Sequence, residues 1–452
     1  MIFHHERDHQ GRDRAVVPGR FCVWLILLTV IVCIIPIQRA YGTSLVLDVT
    51  EEKREKHFMF LPYVFPDTST GLAYGPAGAW TGYGQEQMNI VGALMYSSND
   101  SKGLYLLERN YQIPWAERFF VDLNVILADY QESRAYLDGL PGFPERAGSN
   151  DSDEDDYLEG VGEDRWGEVR LKYLLPIGNG RDSIIQRYRL KDGLLVEGAS
   201  GGQTWNPFRG GRTILESRFF WRNMNFDSPD LPIGEVEYKT NGIRLSLEYD
   251  NTDFWANPTK GSITTVATAK DFSWFTSTWD YTTVEAEYSK FIDLGTTGSF
   301  RQMVLALDVW GVESPSWKSE PNALGASRKD APPSYTGASL GGFWRMRAYP
   351  RFRYHGKSAI YYCAELRLIP YWNPLADMKL LEPLQMDWWQ FVPFVEAGRV
   401  SDNDWDPGEL HEDMQWATGV GLRFMMKRLI ARVDVAYSEE SIGIKAMFNQ
   451  PF

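Results

Sequence analysis

The sequence predicts an all-β fold, a transmembrane antiparallel β-barrel of about 16 strands with one long loop, which the motif resemblance given below implies is folded into the lumen. Three observations predict it. Apolar and polar residues alternate with a period of two in one segment after another. Aromatic residues are 14% of the chain, with 17 Trp, 23 Tyr and 24 Phe, yet mean hydropathy is only −0.34. That combination suits a barrel whose outer face alone is apolar and whose aromatic belts mark both membrane interfaces. Lastly, a Gly- and Pro-rich insertion at 314–355 is far too long for a hairpin turn.

The chain opens on a basic stretch (Arg7, Arg12, Arg14, Arg20), an uncharged apolar run at 21–37, and Ala40-Tyr41-Gly42. This is the pattern of a secretory signal peptide over 1–42, cut after Gly42. Its removal takes away five arginines and three acids, which moves the formal net charge from −14 to −16. So acidic a chain suits neither nucleic acid nor an anionic lipid surface as partner. Cys22 and Cys33 leave with the signal, so Cys363 stays alone and no internal disulfide can form. Val32 is too large before Cys33 for a lipoprotein signal. Residues 43–69 then form a short periplasmic N-terminal segment, too short to fold alone, and 70–452 form the barrel domain.

Strands are expected at 70–82, 87–98, 101–112, 116–130, 164–176, 193–206, 211–226, 240–251, 260–272, 279–293, 299–312, 356–369, 388–400, 414–427, 428–438 and 440–452. In the fourth, Phe119, Val121, Leu123, Val125 and Leu127 share one face, against Asp122 and Asn124. Ile243, Leu245, Leu247 and Tyr249 oppose Arg244, Ser246, Glu248 and Asp250. Ile360, Tyr362, Ala364, Leu366 and Leu368 oppose Glu365 and Arg367; Val433, Val435 and Tyr437 oppose Arg432 and Asp434. A soluble sandwich strand also alternates, so the pattern alone does not say which face is outside. The number of segments favours the barrel.

Three insertions interrupt the strands. Residues 131–163 hold the acidic run 151–156, and strand parity in this count puts them on the periplasmic side. The others are 314–355 and 370–387, the latter a cap on one barrel end. Gly71, Gly75, Gly78, Gly82 and Pro76 weaken the first expected strand, and Pro451 the last, so their seam should be the weakest.

Motifs for chemistry are sparse. Gly198-Ala199-Ser200-Gly201-Gly202 fits G-x-S-x-G but sits in a Gly-rich strand, not in a strand–turn–helix elbow. The acidic run has Asp156 where a calcium loop needs its turn Gly, and Gly162 where it needs its bidentate Glu. It reads as a solvated charge run. His57, His355 and His411 are scattered without ligand spacing. No metal, cofactor or enzymatic activity is expected.

The segment Gly341-Gly342-Phe343-Trp344-Arg345-Met346-Arg347-Ala348-Tyr349-Pro350 resembles the inward-folded loop of the BamA/TamA-type superfamily of outer-membrane assembly and secretion barrels, also called bacterial surface antigens. Phe394-Val395-Glu396-Ala397-Gly398 resembles its next strand motif, with Glu396 where Asp is usual. Tyr249-Asp250-Asn251-Thr252-Asp253 with Asn257-Pro258-Thr259-Lys260-Gly261 resembles its mid-barrel turn. Gly419-Val420-Gly421-Leu422-Arg423-Phe424 and the Phe452 ending resemble its last strands. The resemblance implies an ion pair between Arg347 on the loop and Glu396 on the barrel wall, with Gly341, Gly342 and Tyr349 shaping the loop. Ala348 stands where the family has Gly, which predicts strain if that position needs φ > 0. Ile442, Ile444, Ala446, Phe448 and Phe452 share parity. This apolar stripe looks like the C-terminal signal read by barrel assembly machinery.

The resemblance implies an integral protein of the bacterial outer membrane, a barrel-only member without periplasmic domains. Its expected work is protein insertion or translocation, with a periplasmic or client protein partner and outer-membrane lipids around it. The alternative is a passive pore or structural surface protein that handles no client.

Overall fold

A computed structural model describes residues 46–48, 57–67, 71–137, 146–197, 204–231, 235–319, 328–375, 386–426, 429–448 and 450–452. The expected signal peptide and the G-x-S-x-G segment lie outside them. Among the described residues no helix is long and apolar enough to cross a membrane.

Sixteen strands form one antiparallel sheet in chain order. They are β1 (His57–Asp67), β2 (Gly71–Thr81), β3 (Asn89–Ser97), β4 (Lys102–Gln112), β5 (Phe119–Ala135), β6 (Leu158–Leu174), β7 (Arg212–Asp227) and β8 (Glu235–Asp250). Then come β9 (Gly261–Asp271), β10 (Thr282–Gly295), β11 (Phe300–Glu313), β12 (Ser358–Pro370), β13 (Met386–Ser401), β14 (Gln415–Met426), β15 (Leu429–Tyr437) and β16 (Ile442–Phe448).

The two faces of this sheet invert the soluble rule. Leu123, Val169, Leu171, Leu215, Leu245, Leu247, Val266 and Val395 stand exposed on the outer face. Asp122, Glu168, Arg170, Lys172, Glu216, Arg218, Glu365 and Arg367, on the other parity, are buried inside. A water-soluble sandwich would bury the first set and expose the second. The sheet is therefore built to meet hydrocarbon outside and to satisfy charge within.

The expected number of strands is right, but two assignments offset each other. The segment 43–69 is not wholly outside the sheet, because His57–Asp67 is its first strand, antiparallel to β2. Pro62 and Pro66 argue against an interior strand, yet an edge strand needs donors on one side only. Conversely, the described parts of 193–206, residues 193–197 and 204–206, belong to no wall strand. Gln186–Lys191 and Leu194–Glu197 form a hairpin that, with Val46–Asp48 parallel to Gln186–Tyr188, makes a separate three-stranded sheet. Its Asp192-Gly193 turn has φ of 50° and 69°, the left-handed pair of a tight two-residue turn.

The added first strand reverses parity. The acidic insertion at 146–157 lies at the end away from the start of β1 and the end of β16, here called distal. There Arg146 reaches His355 O (2.6 Å) and Asp402 (2.7 Å), and Asn150 reaches Asp413 O (3.0 Å). It thus shares the side of the 314–357 loop, not the side of the termini.

The seam also departs from expectation. Strand β1, not 71–82, comes close to β16, and no ladder joins them among the described residues. Met59, Tyr63, Ala73, Ala77 and Ala79 from the interior face of β1–β2 share one buried cluster with Phe424, Met426, Ala431, Val433 and Ala446. The latter lie on the outward face, since Arg423, Arg432 and Asp434 of opposite parity point inward. The N-terminal edge therefore laps over the outside of the C-terminal edge, and small alanines allow the close approach.

Candidate functional site

The 314–357 loop turns back into the interior, and glycine geometry shapes its tip. Gly341 has φ 98°, and a Cβ there would lie 2.2 Å from Pro350 O; Gly342 has φ 124°. Among non-glycine residues of the tip, Met346 takes positive φ (55°), whereas Ala348 does not. The strain expected at Ala348 is absent because the left-handed turn sits two residues earlier.

Arg347 is fully buried and meets three carboxylates. Its backbone N–H donates to Glu396 Oε2 (2.7 Å) and its Nε to Glu396 Oε1 (3.1 Å). Its Nη1 donates to Glu365 Oε1 and Asp434 Oδ2, both at 3.0 Å. The guanidinium plane lies 3.5 Å from the Phe394 ring centroid, and Nη2 is 3.6 Å from Cys363 Sγ. The expected pair of Arg347 with Glu396 is present, and Glu396 also accepts from Tyr361 Oη at 2.5 Å.

The pair is one part of a larger network. Glu365 accepts from Arg347, Arg367 (2.9 Å) and Arg423 (2.7 Å). Asp434 accepts from Arg347 and Arg432 (2.8 Å). Four guanidiniums thus interlock with three carboxylates, all of them buried. Planar guanidinium forks suit this role because each can serve two carboxylates at once. Arg347 reaches carboxylates on β12, β13 and β15, and β14 joins the network through Arg423 and Glu365.

Further contacts fix the loop on either side of Arg347. Arg345 binds Glu287 (2.5 Å) and lies 4.0 Å over the Trp310 ring. Arg353 holds Glu440 through two bonds (2.9 and 2.8 Å) and Ser152 through two more (both 2.7 Å), which anchors the acidic insertion. Tyr349 donates to Trp416 O (3.0 Å). Gly443 lets β16 approach the loop, since a Cβ there would sit 2.3 Å from Arg347 O.

The expected C-terminal stripe divides. Ile442 and Ile444 are exposed on the outer face, Ala446 is covered at the seam, and Phe448 ends β16 opposite Ala431. Phe452 turns inward instead, stacked near Phe291 (6.3 Å) with Arg367 within 5.2 Å of both rings. Interior cavities include ones of about 110 and 60 Å³, each with room for a few waters. Among the described residues no cluster of His, Cys, Asp and Glu could hold a metal ion.

Tyr361→Phe should lower stability by about 1.5–3 kcal/mol, the worth of a hydrogen bond to a charged group. Urea unfolding in micelles, followed by Trp fluorescence, measures it. A change below about 0.5 kcal/mol would show that the Tyr361 hydroxyl does not support Glu396.

The Omp85 superfamily domain model matches residues 216–443. No curated protein matches the sequence. Among solved structures, BamA from Haemophilus ducreyi lacking POTRA domains 1-3 shares 12% identity at TM-score 0.43, covering 88% of this chain and 70% of that one. CdiB from Acinetobacter baumannii shares 10% at TM-score 0.46, covering 87% and 58%. CdiB from Escherichia coli shares 10% at TM-score 0.48, covering 88% and 62%. The chain thus spans about three-fifths of the CdiB chains it matches.

Proposed function

Because this chain belongs to the Omp85 superfamily, whose domain model spans half its length, we propose that it is an integral outer-membrane protein that inserts or translocates polypeptide. One observation carries this reading: a long loop is folded inward and clamped by Arg347 to three strands of the wall. A passive pore has no need for a clamp that fills its own lumen. A device that must hold one shape until a client arrives does.

The proposed protein is not an enzyme. It works with a periplasmic or client protein partner and is itself inserted by barrel assembly machinery that reads the end of β16. Its apolar outer face binds outer-membrane lipid.

Two measurements test the reading. Deleting the gene should lower the level of at least one other outer-membrane or secreted protein in its host. Unchanged levels of all of them would refute it. In planar bilayers the wild type should show little steady conductance, and Arg347→Ala should raise it. A large, stable conductance in the wild type would support the passive pore instead.

A further inference from the structure

The hairpin formed by Gln186–Lys191 and Leu194–Glu197 belongs to the 175–211 connection at the proximal end, where β1 begins and β16 ends. Its tip lies in the mouth of the interior. Tyr188 and Leu190 are buried, and with Leu194 and Leu195 they pack on Phe254, Ile369, Trp388, Met425 and Ile430. Trp388 donates its indole N–H to Gly193 O at 2.9 Å. A Cβ at Gly193 would stand 2.6 Å from Asp387 Cβ and 2.8 Å from the Trp388 ring, so the tip fits its seat without slack.

The seat lies just beneath the ion network. Ile369, Met425 and Ile430 are each two residues from Arg367, Arg423 and Arg432 on the same interior parity, which is about 7 Å along a strand. The hairpin nevertheless belongs to no wall ladder. At its base Arg212 binds Ser183 O (3.2 Å), and Arg187 meets Glu86 at the surface (3.4 Å). With Val46–Asp48 parallel to Gln186–Tyr188 the hairpin forms a three-stranded sheet apart from the wall, so that strand holds its base and the seat holds its tip. Once it leaves, Phe254, Trp388, Met425 and Ile430 face the opening. Aromatic and Met side chains adapt to varied apolar partners, and their present occupant is an extended strand with Tyr188 and Leu190 on one face.

We propose that the 186–197 hairpin is a displaceable stopper, and that its apolar seat binds an extended polypeptide segment of alternating apolar and polar residues in its place. The polypeptide half rests on the insertion-or-translocation reading above, whereas the stopper half does not. Sequence in this seat is recognised loosely, through one apolar face and one indole donor. The loop clamp and the stopper then lie one above the other, at mid-wall and at the proximal mouth.

Gly193→Val tests this, because the added side chain collides with Asp387 and Trp388 and disfavours the left-handed turn. Met425→Cys is introduced with and without it, and a membrane-impermeant maleimide is applied to the full chain in detergent. Unseating should speed labelling of the new thiol by about tenfold or more, while buried Cys363 reports background. A short alternating Thr/Leu peptide carrying a fluorophore should bind Gly193→Val about fivefold tighter than wild type, since it no longer competes with the hairpin. If Gly193→Val misfolds, replacing 186–197 by a short Gly-Ser linker serves instead. Unchanged labelling in the unseated chain would overturn the stopper. Faster labelling with equal peptide binding would overturn the binding seat, and neither result touches the gene-deletion test of function.

Discussion

Arg347→Ala is expected to destabilise the folded barrel by on the order of 3–5 kcal/mol, because it strands Glu396, Glu365 and Asp434 without the cation they share. The contribution is specific to the pairing: two buried charges repay their desolvation only while both are present. Arg347→Lys should recover part of the loss, since a point charge remains but the fork that spans two carboxylates does not. The double variant Arg347→Met, Glu396→Gln should cost less than Arg347→Ala alone. Urea midpoints in micelles give the order of the three. Limited proteolysis should find 341–356 cut first in Arg347→Ala. If the single variant lost less than about 1 kcal/mol, the network would have to be solvated rather than buried.

Glu365→Ala should be at least as damaging, also on the order of 3–5 kcal/mol. Glu365 accepts from Arg347, Arg367 and Arg423, so its loss leaves three buried guanidiniums around a hole. Mutual repulsion then adds to desolvation. Glu365→Gln keeps the shape and an acceptor but not the charge, and should fall between wild type and Glu365→Ala. Refolding yield from urea into micelles and the unfolding midpoint both report this. A Glu365→Ala protein as stable as wild type would show that Arg367 and Arg423 are held by other partners, with Gln450 and the Phe452 oxygen as candidates.

Much of this arrangement is readable from residue patterns, and the misses have physical causes. Alternation of Leu123 and Val125 against Asp122 and Asn124 identifies a wall strand, because a pleated strand must separate its two faces. It could not say which face was inside; the burial of Asp122 and exposure of Leu123 decide that. Strand β1 was hidden by Pro62 and Pro66, which forbid a central strand but not an edge. The 193–206 stretch misled because Leu194, Leu195 and Val196 are as apolar as wall residues, while the Asp192-Gly193 turn before them makes a local hairpin.

The site was half legible. Arg347 and Glu396 came from motif resemblance. Glu365, Arg367, Arg432 and Asp434 stood in view as polar faces of their strands, but their partners did not. Arg423 on β14 reaches Glu365 on β12 across the intervening β13. A contact that skips a strand leaves no trace in nearest-neighbour patterns, and only the tertiary fold gathers these inward charges around Arg347.

The overlapped seam has a consequence for where the protein is strong. Pro62 of β1 stands opposite Pro76 in register, so that point of the edge lacks two donors. Separating paired backbone in hydrocarbon would cost several kcal/mol for each orphaned group. Parting two greasy surfaces there costs little, since lipid tails replace the lost contacts and no water is involved. In an aqueous setting the same surfaces cling, because parting them wets Phe424, Val433 and Ala446. The joint grips in water and slips in oil.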